Sequence, residues 1–326
     1  MAKGETLVRL ENVVKHYPIK GGVFLRQVDS VKAVNGVSLE IREGETFGLV
    51  GESGCGKSTL GSVTLGLEKP TSGRVLFEGK DIGRLKKAER RAIHRQMQIV
   101  FQDPFESLNP RMTVEELVGE GLRIQGGMGR EEVHRRVLRM LDRVGLNPEH
   151  AKRYPHEFSG GQRQRIGIAR ALIVEPRFIV CDEPVSALDV SVQAQIINLL
   201  RDLQKEYGYT YLFVAHSLNV VRYMSDRIAV MYLGRIVELA DTDTLFKRPL
   251  HPYTQALLNA IPDIDSGENV FSAVLTGDVP SPVHLPTGCP FHPRCTRCRE
   301  ICKQRMPEVQ KVGDSLVMCH LYNEAR

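Results

Sequence analysis

The sequence lacks any apolar run near the roughly 20 residues that a membrane-spanning helix requires. Its longest apolar runs are comparable in size to residues 228–233. The N-terminus lacks the apolar core of a secretory signal, because Lys3, Glu5 and Arg9 interrupt it. A strong charge of one sign is also missing, since 44 Lys and Arg stand against 39 Asp and Glu. We therefore expect a cytosolic chain that does not span a bilayer and whose mild charge does not indicate nucleic-acid binding.

No internal repeat, low-complexity tract or sustained heptad is visible in the sequence. The composition is that of ordinary globular proteins, with 42% hydrophobic and 25% charged residues. Such a chain can bury enough apolar surface to offset its ordering entropy, which excludes global disorder. Its 326 residues allow one large core or two modest ones.

The order of apolar segments predicts an α/β fold. Over residues 7–48 apolar and polar residues alternate, as at Val37 and Leu39, which predicts short antiparallel strands. From Thr46 onward, unalternated apolar runs are separated by helical stretches, which is typical of a parallel sheet covered on both faces. We place these buried strands at residues 46–50, 98–101, 178–181 and 211–215.

Two further regions follow from the pattern. About 75 residues separate the second and third buried strands, and Val133, Val137 and Leu141 recur there at helical spacing, which predicts a helical insertion. After Pro262 the chain becomes acidic and then rich in proline, which predicts a linker. We therefore divide the chain into a first domain, residues 1–262, and a C-terminal extension, residues 263–326.

Residues 51–58 fit the P-loop pattern G-x-x-x-x-G-K-[ST], directly after a predicted strand and before an apolar helix. In this motif, backbone N–H groups surround the β-phosphate of a nucleotide and the helix offers its positive N-terminus. Lys57 would span the β- and γ-phosphates, and Ser58 would bind Mg²⁺. The motif predicts a site for a nucleoside triphosphate with Mg²⁺.

The third buried strand ends in the carboxylates of Asp182 and Glu183, at the edge where α/β sheets bind their ligands. Asp182 is suited to bind Mg²⁺ through water, and Glu183 is suited to polarise an attacking water. Taken as a bare dipeptide, the pair is equally compatible with a solvated turn. Together with the P-loop, it predicts nucleotide hydrolysis.

Ser159, Gly160, Gly161 and Gln162 precede an apolar helix, and Ser-x-x-Gln is itself a helix-capping box. Two glycines at a helix N-terminus also expose N–H groups beside a positive dipole, which would make a second phosphate clamp. The residues alone leave both interpretations open.

The order of these motifs, followed by residues 186–189 and His216, resembles the ATPase subunit of ABC transporters over residues 7–262. The resemblance implies a RecA-like parallel core with an antiparallel β subdomain and a helical subdomain. It implies that Tyr17 stacks on adenine, that Gln102 contacts Mg²⁺ and the attacking water, that Glu183 is the catalytic base and that His216 binds the γ-phosphate. The remaining nucleotide contacts that it implies are Gly51, Ser53, Gly54, Cys55, Gly56, Lys57, Ser58, Thr59, Ser159, Gly160, Gly161, Gln162, Asp182 and Asp189.

The sequence departs from the family pattern at two positions. The family's signature motif corresponds here to Ser159–Gln162, and Phe158 stands where leucine usually precedes it. Ser217 stands where an aspartate commonly follows the switch histidine, which is His216 here. Phe158 keeps an apolar anchor, and Ser217 removes one charge near the phosphates. Neither change removes a group with a chemical role, so we expect an active ATPase.

Residues 16–22, 251–256 and 288–295 look like the second ATPase subunit of dipeptide and oligopeptide importers. This resemblance implies a head-to-tail dimer, with a paralogous ATPase or with itself, in which Ser159 and Gly161 complete the partner's site. It also implies two transmembrane permease subunits, an extracytoplasmic solute-binding protein and a peripheral position on the cytoplasmic face of the membrane. Related importers carry nickel or oligosaccharides, which keeps the cargo open.

Five of the seven cysteines lie within the last 38 residues. In a reducing compartment such thiolates indicate a metal before a disulfide, and four of them would hold zinc or a [4Fe-4S] cluster. The resemblance favours an iron–sulfur cluster held by four of these cysteines, with Cys298 as an extra and Zn²⁺ as the alternative. The four implied ligands are Cys289, Cys295, Cys302 and Cys319.

Two other classes of protein remain to be weighed. Soluble ABC ATPases of DNA repair or translation bind nucleic acid, but they carry a long coiled coil or a second cassette, and this sequence has neither. A metal or redox protein that merely uses the cassette as a scaffold would carry a cluster whose potential governs the ATPase rate. The sequence favours the transporter ATPase, with no nucleic-acid partner.

Overall fold

The computed structural model describes residues 4–21, 26–103, 107–260 and 277–322. These residues form two compact units. The helical unit comprises Arg84–Val214 with Arg42–Glu45 and the N-terminal residues up to Thr6. The P-loop unit comprises Leu7–Ile41, Thr46–Gly83 and the chain from Ala215 onward.

The elements are numbered in chain order. The described strands are β1 (Thr6–Gly21), β2 (Arg26–Arg42), β3 (Thr46–Val50), β4 (Ser72–Phe77), β5 (Lys80–Asp81), β6 (Met97–Val100), β7 (Phe178–Asp182), β8 (Thr210–Ala215), β9 (Arg227–Tyr232), β10 (Arg235–Asp241), β11 (Val309–Val312) and β12 (Ser315–Met318). The described α-helices are α1 (Lys57–Thr64), α2 (Lys87–Gln96), α3 (Val114–Gln125), α4 (Arg130–Arg143), α5 (Gly160–Leu172), α6 (Val190–Tyr207), α7 (Leu218–Met224), α8 (Thr242–Lys247), α9 (Pro252–Asn259) and α10 (Glu300–Gln304).

The helical unit contains the parallel strands β6, β7 and β8, with β7 between the other two. All six residues of β8 and the first four of β7 are buried, as expected for strands covered on both faces. The predicted helical insertion is confirmed by α3 and α4. Val133, Val137 and Leu141 form the buried face of α4.

The P-loop unit contains a four-stranded sheet in the order β2-β1-β4-β5. β1 and β2 are 16 and 17 residues long, so the prediction of short strands over residues 7–48 is wrong in length. The pairing of β1 with β4 shifts register between Glu11 and Val14, and Asn12 there has a φ of 47°. This bulge interrupts the alternation of apolar residues, which makes one long strand look like two short ones.

A second set of strands in the same unit pairs in the order β11-β12-β10-β9-β3. β3 and β9 are parallel, and the other pairs are antiparallel. The C-terminal extension therefore adds two strands to this sheet, with Val317 of β12 opposite Glu238 of β10. The predicted domain boundary after residue 262 lies outside the described residues and stays a prediction.

The predicted fold class is confirmed by the parallel strands, the antiparallel sheet and the helical insertion. The predicted buried strands agree with β3, β6, β7 and β8 to within one residue at each end. Among the described helices, none has both the length and the apolar character needed to cross a membrane.

Candidate functional site

The P-loop, residues 51–58, runs from the end of the buried strand β3 into the first turn of α1. Gly56 has a φ of 106°, and a Cβ there would lie 2.0 Å from a backbone carbonyl oxygen, so only glycine fits this turn. The buried Lys57 side chain curls back into the loop, where Nζ donates to the carbonyl oxygens of Gly51, at 2.9 Å, and Glu52, at 3.1 Å. The ammonium group thus lies within the loop that the motif predicts to surround phosphates.

The other P-loop positions divide by exposure. Ser53, Gly54 and Ser58 are exposed, as a ligand-binding surface requires, whereas Cys55 is buried. Burial raises the pKa of the Cys55 thiol, so its side chain packs inside the loop, and its predicted contact with a nucleotide stays a prediction. Ser58 lies in the first turn of α1, where a hydroxyl can reach a ligand at the positive helix terminus.

Tyr17 and α1 are brought together within the P-loop unit. The Tyr17 hydroxyl donates to Glu68 Oε2 at 2.6 Å, and Lys15 Nζ lies 4.8 Å from the centre of the Tyr17 ring. Burial and Glu68 raise the pKa of Tyr17, while a hydrogen bond with Thr59 lowers it. The ring predicted to stack on adenine is therefore held beside the helix that begins at Lys57.

The helical unit brings Gln102 and Glu183 together, with Gln102 Nε2 donating to Glu183 Oε2 at 3.2 Å. Glu183 follows β7 and has a φ of 45°, a left-handed conformation that costs a non-glycine residue about 1–3 kcal/mol. A hydrogen bond from Glu183 N to Val214 O, at 2.9 Å, holds it there. Asp182, the last residue of β7, is half-buried. Glu183, the predicted base, and Gln102, the predicted contact of the attacking water, are thus direct neighbours.

The signature residues begin α5 through a reciprocal capping box. Gln162 N donates to Ser159 Oγ at 3.4 Å, and Ser159 N donates to Gln162 Oε1 at 3.0 Å. The capping interpretation is confirmed, and it leaves the exposed Ser159 at a helix N-terminus. Phe158 is buried, so it does provide the apolar anchor expected in place of leucine.

The predicted nucleotide residues are divided between the two units. The P-loop, Tyr17 and His216 belong to the P-loop unit, and His216 is exposed directly after β8. Gln102, the signature and the two carboxylates belong to the helical unit, as does the exposed Asp189 before α6. Their roles toward a nucleotide stay predictions.

Sequence reasoning missed two contacts at these sites. Gln164, inside α5, is buried and its Nε2 donates to the carbonyl oxygen of Phe101 at 3.2 Å, which ties the signature helix to the residue before Gln102. Glu52 of the P-loop is held by Arg294, which lies 242 residues away in the C-terminal extension. No local sequence pattern predicts the pairing of Glu52 with Arg294, because the two residues are so far apart in the chain.

A cavity of about 1120 Å³ lies within the helical unit. Gln102 and Asp182 line it together with arginines 91, 95 and 170. Phe101 and Ile124 also line it and are 41% and 78% exposed, which is unusual for large apolar side chains. The cavity therefore joins the predicted catalytic edge to an exposed, partly apolar surface.

The predicted cluster ligands are free thiols, of which Cys289, Cys302 and Cys319 are buried and Cys295 is half-buried. Burial raises the pKa of Cys289 to about 12, and the other three thiols contribute to the increase. Four neighbouring thiols suit an iron–sulfur cluster or zinc chemically. In the described part of the chain, however, no group of three or more His, Cys, Asp or Glu residues is arranged to hold a metal ion. The described geometry does not show the predicted cluster, which stays a prediction.

Comparison with known proteins adds sequence relatives. Residues 34–186 match the ABC transporter model, and residues 237–302 match the oligopeptide/dipeptide transporter C-terminal region. The chain is 51% identical to the oligopeptide transport ATP-binding protein AppF of Bacillus subtilis (strain 168), over 99% of both chains. It is 52% identical to the putative oligopeptide transport ATP-binding protein YkfD of the same strain, over 91% of both.

Solved structures are also similar to this chain, over about three quarters of its length. The ATP-binding cassette MJ0796, in a dimeric post-hydrolysis state bound to ADP and Pi, is 35% identical with a TM-score of 0.64. That match covers 72% of this chain and 98% of the cassette. The structure of cbiO1 from Clostridium perfringens, part of the ABC transporter complex cbiONQ, is 31% identical with a TM-score of 0.65. That match covers 75% of this chain and 92% of cbiO1.

Proposed function

Because the chain belongs to the ABC transporter ATPase family, we propose that it is the ATP-hydrolysing subunit that powers peptide import through a membrane transporter. The similarity to AppF carries this proposal, since it extends over 99% of both chains and therefore includes the C-terminal extension. Family membership implies an ATPase that works as a dimer with membrane permeases. The peptide cargo, the solute-binding protein and the cytoplasmic face of the membrane belong to the proposal.

We assign the nucleotide roles as the motifs predict them. The P-loop and Lys57 bind the phosphates, and Tyr17 stacks on the base. The oxygen donors of Ser58, Gln102 and Asp182 fit Mg²⁺, which prefers such ligands. Mg²⁺ held by these residues would neutralise negative charge on the phosphates. Glu183 accepts a proton from the attacking water, and Gln102, hydrogen-bonded to it, orients that water.

His216, Ser159 and Asp189 complete this assignment. His216 is exposed after β8 and contacts the γ-phosphate. Asp189, before α6, is a further nucleotide contact. Ser159 and Gly161, at the N-terminus of α5, face the nucleotide of the partner ATPase in a head-to-tail dimer. The exposure of Ser159 supports this role, because a residue that completes another subunit's site cannot be buried within its own.

We place the permease contact at the cavity of the helical unit. Its exposed side chains, Phe101 and Ile124, offer apolar surface for a partner helix, and Gln102 lines the same cavity. A permease seated there would touch the residue that is hydrogen-bonded to Glu183. Movement of the permease would in this way reach the catalytic carboxylate.

Co-purification from the native membrane tests the proposal. We expect two permeases and an extracytoplasmic binding protein to accompany the chain, and the ATPase rate of the assembly to rise when the binding protein is loaded with peptide. Stimulation by nickel or by an oligosaccharide instead of peptide would move the chain to a related importer. Binding to nucleic acid in a salt-sensitive manner would contradict the transport function.

We also propose, from the family resemblance of the extension, that Cys289, Cys295, Cys302 and Cys319 bind a [4Fe-4S] cluster. The crowding of these four thiols in one short extension supports it, because four cysteine thiolates are the ligand set that such a cluster requires. The chain purified without oxygen should contain about four irons and as many acid-labile sulfides. Cys319→Ser should lose them and Cys298→Ser, the matched control, should keep them. Stoichiometric zinc without sulfide would contradict the cluster.

A further inference from the structure

Glu52, the second residue of the P-loop, is held at three points. Its N–H donates to the Tyr253 hydroxyl at 2.9 Å, and its carbonyl oxygen accepts from Lys57 Nζ at 3.1 Å. Its carboxylate pairs with Arg294. Because one residue joins the backbone of the loop to Lys57, a displacement of Glu52 would move both the N–H groups and the ammonium that face a bound phosphate.

The contact between Glu52 and Arg294 is bidentate and shielded. The two guanidinium nitrogens donate to the two carboxylate oxygens at 2.7 and 3.0 Å. The Arg294 side chain is 5% exposed and that of Glu52 is 24% exposed, so water screens the pair only weakly. Paired, planar geometry of this kind gives stronger and more directional hydrogen bonds than a single contact does.

An aromatic cluster shields this contact and links it to the extension. The rings of Tyr232, Tyr253 and Phe291 lie 4.7 to 5.4 Å apart, centre to centre. Phe291 lies three residues before Arg294, and Tyr253 also accepts the Glu52 N–H. The extension therefore reaches the P-loop through one apolar contact surface and one charged contact.

We propose that Arg294 is a positioning residue for ATP binding. It neutralises the Glu52 carboxylate, which would otherwise repel the anionic phosphates, and it fixes the loop in the conformation that encloses them. This inference rests on the proposed role of residues 51–58 in phosphate binding. It assigns the C-terminal extension a direct contribution to nucleotide affinity, beyond any contact with a transporter.

Charge distinguishes this role from simple structural support. Arg294→Gln leaves Glu52 as an uncompensated, partly buried carboxylate in the loop that is proposed to bind the phosphates. The double variant Glu52→Gln/Arg294→Gln removes both charges and lets two amides face each other. If Arg294 acts by neutralising Glu52, the double variant binds ATP better than the single one, although it has lost more of the native contact.

The experiment is titration of the full chain with Mg-ATP, alongside steady-state hydrolysis and thermal unfolding. We expect Arg294→Gln to raise the Kd and KM for ATP about tenfold with a smaller change in kcat, the pattern of lost binding rather than lost chemistry. The double variant should recover most of that affinity. Arg294→Lys keeps the positive charge but cannot make the bidentate contact, so its affinity for ATP should lie between those of Arg294→Gln and the wild type. Arg305→Gln, which changes an exposed arginine of the same extension, should bind ATP as tightly as the wild type.

Two outcomes would overturn the inference. One is an Arg294→Gln variant that is folded and binds ATP with the wild-type Kd. The other is a double variant that binds no better than Arg294→Gln, which would assign Arg294 a structural role only. Lys57→Ala separates this from the parent proposal: if it also left ATP binding unchanged, the phosphate role of the P-loop itself would be wrong.

Discussion

Glu183 shows how a single residue combines strain with a chemical role. Its backbone has a φ of 45°, and hydrogen bonds from its N–H to Val214 and from Gln102 to its carboxylate fix the side chain at the end of β7. A strained conformation persists only where the surroundings determine it, and such sites cluster at functional positions. The carboxylate is half-buried, so it is held but accessible.

We expect Glu183→Gln to bind Mg-ATP as tightly as the wild type and to hydrolyse it more slowly by about two or more orders of magnitude. The amide keeps the size of the side chain and removes the proton acceptor. Single-turnover hydrolysis at saturating Mg-ATP measures the change directly, because binding no longer limits the rate. A single-turnover rate equal to that of the wild type would show that another group is the base.

His251 is a buried neutral group with a structural role. Its Nδ1 accepts the N–H of Tyr253 at 3.0 Å and caps α9, and burial lowers the pKa of His251 to about 3. Glu238 accepts the N–H of His251 at 2.8 Å, and burial raises the pKa of that carboxyl. Both titratable groups lie at the junction that positions Tyr253 beside the P-loop.

The depressed pKa of His251 predicts a loss of stability in acid. In the unfolded chain His251 becomes protonated below pH 6.5, whereas in the folded chain it stays neutral down to about pH 3. The free energy of unfolding should therefore fall with decreasing pH over that window, by up to about 1.4 kcal/mol per pH unit from this group. His251→Asn, which retains a capping oxygen, should lose that part of the slope in urea unfolding curves, while Glu238 contributes equally to both proteins. Parallel slopes would contradict the assignment.

Elements were predictable wherever a local pattern determines them. The four buried strands were predicted to within a residue because unbroken apolar runs of four to six residues between helices are typical of strands covered on both faces. The full length of β1 was not predicted, because the bulge at Asn12 interrupts the alternation of apolar and polar residues along the strand. The hairpin of β11 and β12 was also missed, although Gly313 and Asp314 form a recognised two-residue turn signal between the two strands.

The packing of α5 against α6 predicts a steric effect at the signature. A Cβ at Gly161 would lie 2.4 Å from Val192 Cγ1, a distance at which something must move. We expect Gly161→Ala to lower the free energy of unfolding by about 1–3 kcal/mol through overpacking. Gly161→Ala/Val192→Ala removes the opposing methyl group and should regain stability relative to the single variant, as measured by urea denaturation. An equally stable Gly161→Ala would show that α6 yields freely.

The chemical groups of the site were predictable from the sequence, but the long-range contacts that connect them were not. The P-loop, Asp182 and Glu183 carry their chemistry in residue types and short spacings. The pairing of Glu52 with Arg294, or of β10 with β12, joins residues more than 70 positions apart, and no spacing rule determines it. The expected metal geometry was not found among the described residues, because cysteine spacing does not specify where the backbone places each thiol.

The proposed head-to-tail dimer makes a prediction about mixtures of inactive chains. Lys57→Ala damages the site on its own subunit, whereas Ser159→Arg places a bulky cation at an exposed helix terminus that serves the partner's site. Each variant alone then has two damaged sites. In a mixed dimer both defects fall on the same composite site and the other site is intact. Random mixing at equal amounts should restore about a quarter of the wild-type sites.

ATPase assays across mixing ratios, with mixed dimers verified by cross-linking, measure this recovery. Activity should peak near equal amounts, because the mixed dimer is then most abundant. Two Lys57→Ala preparations carrying different tags form the control, since their mixed dimers have no intact site. If verified mixed dimers stay as inactive as this control, then either the two nucleotide sites do not act independently or Ser159 does not serve the partner. ATP binding by the isolated Ser159→Arg chain decides between these, because a residue that acts only on the partner's nucleotide leaves that affinity unchanged.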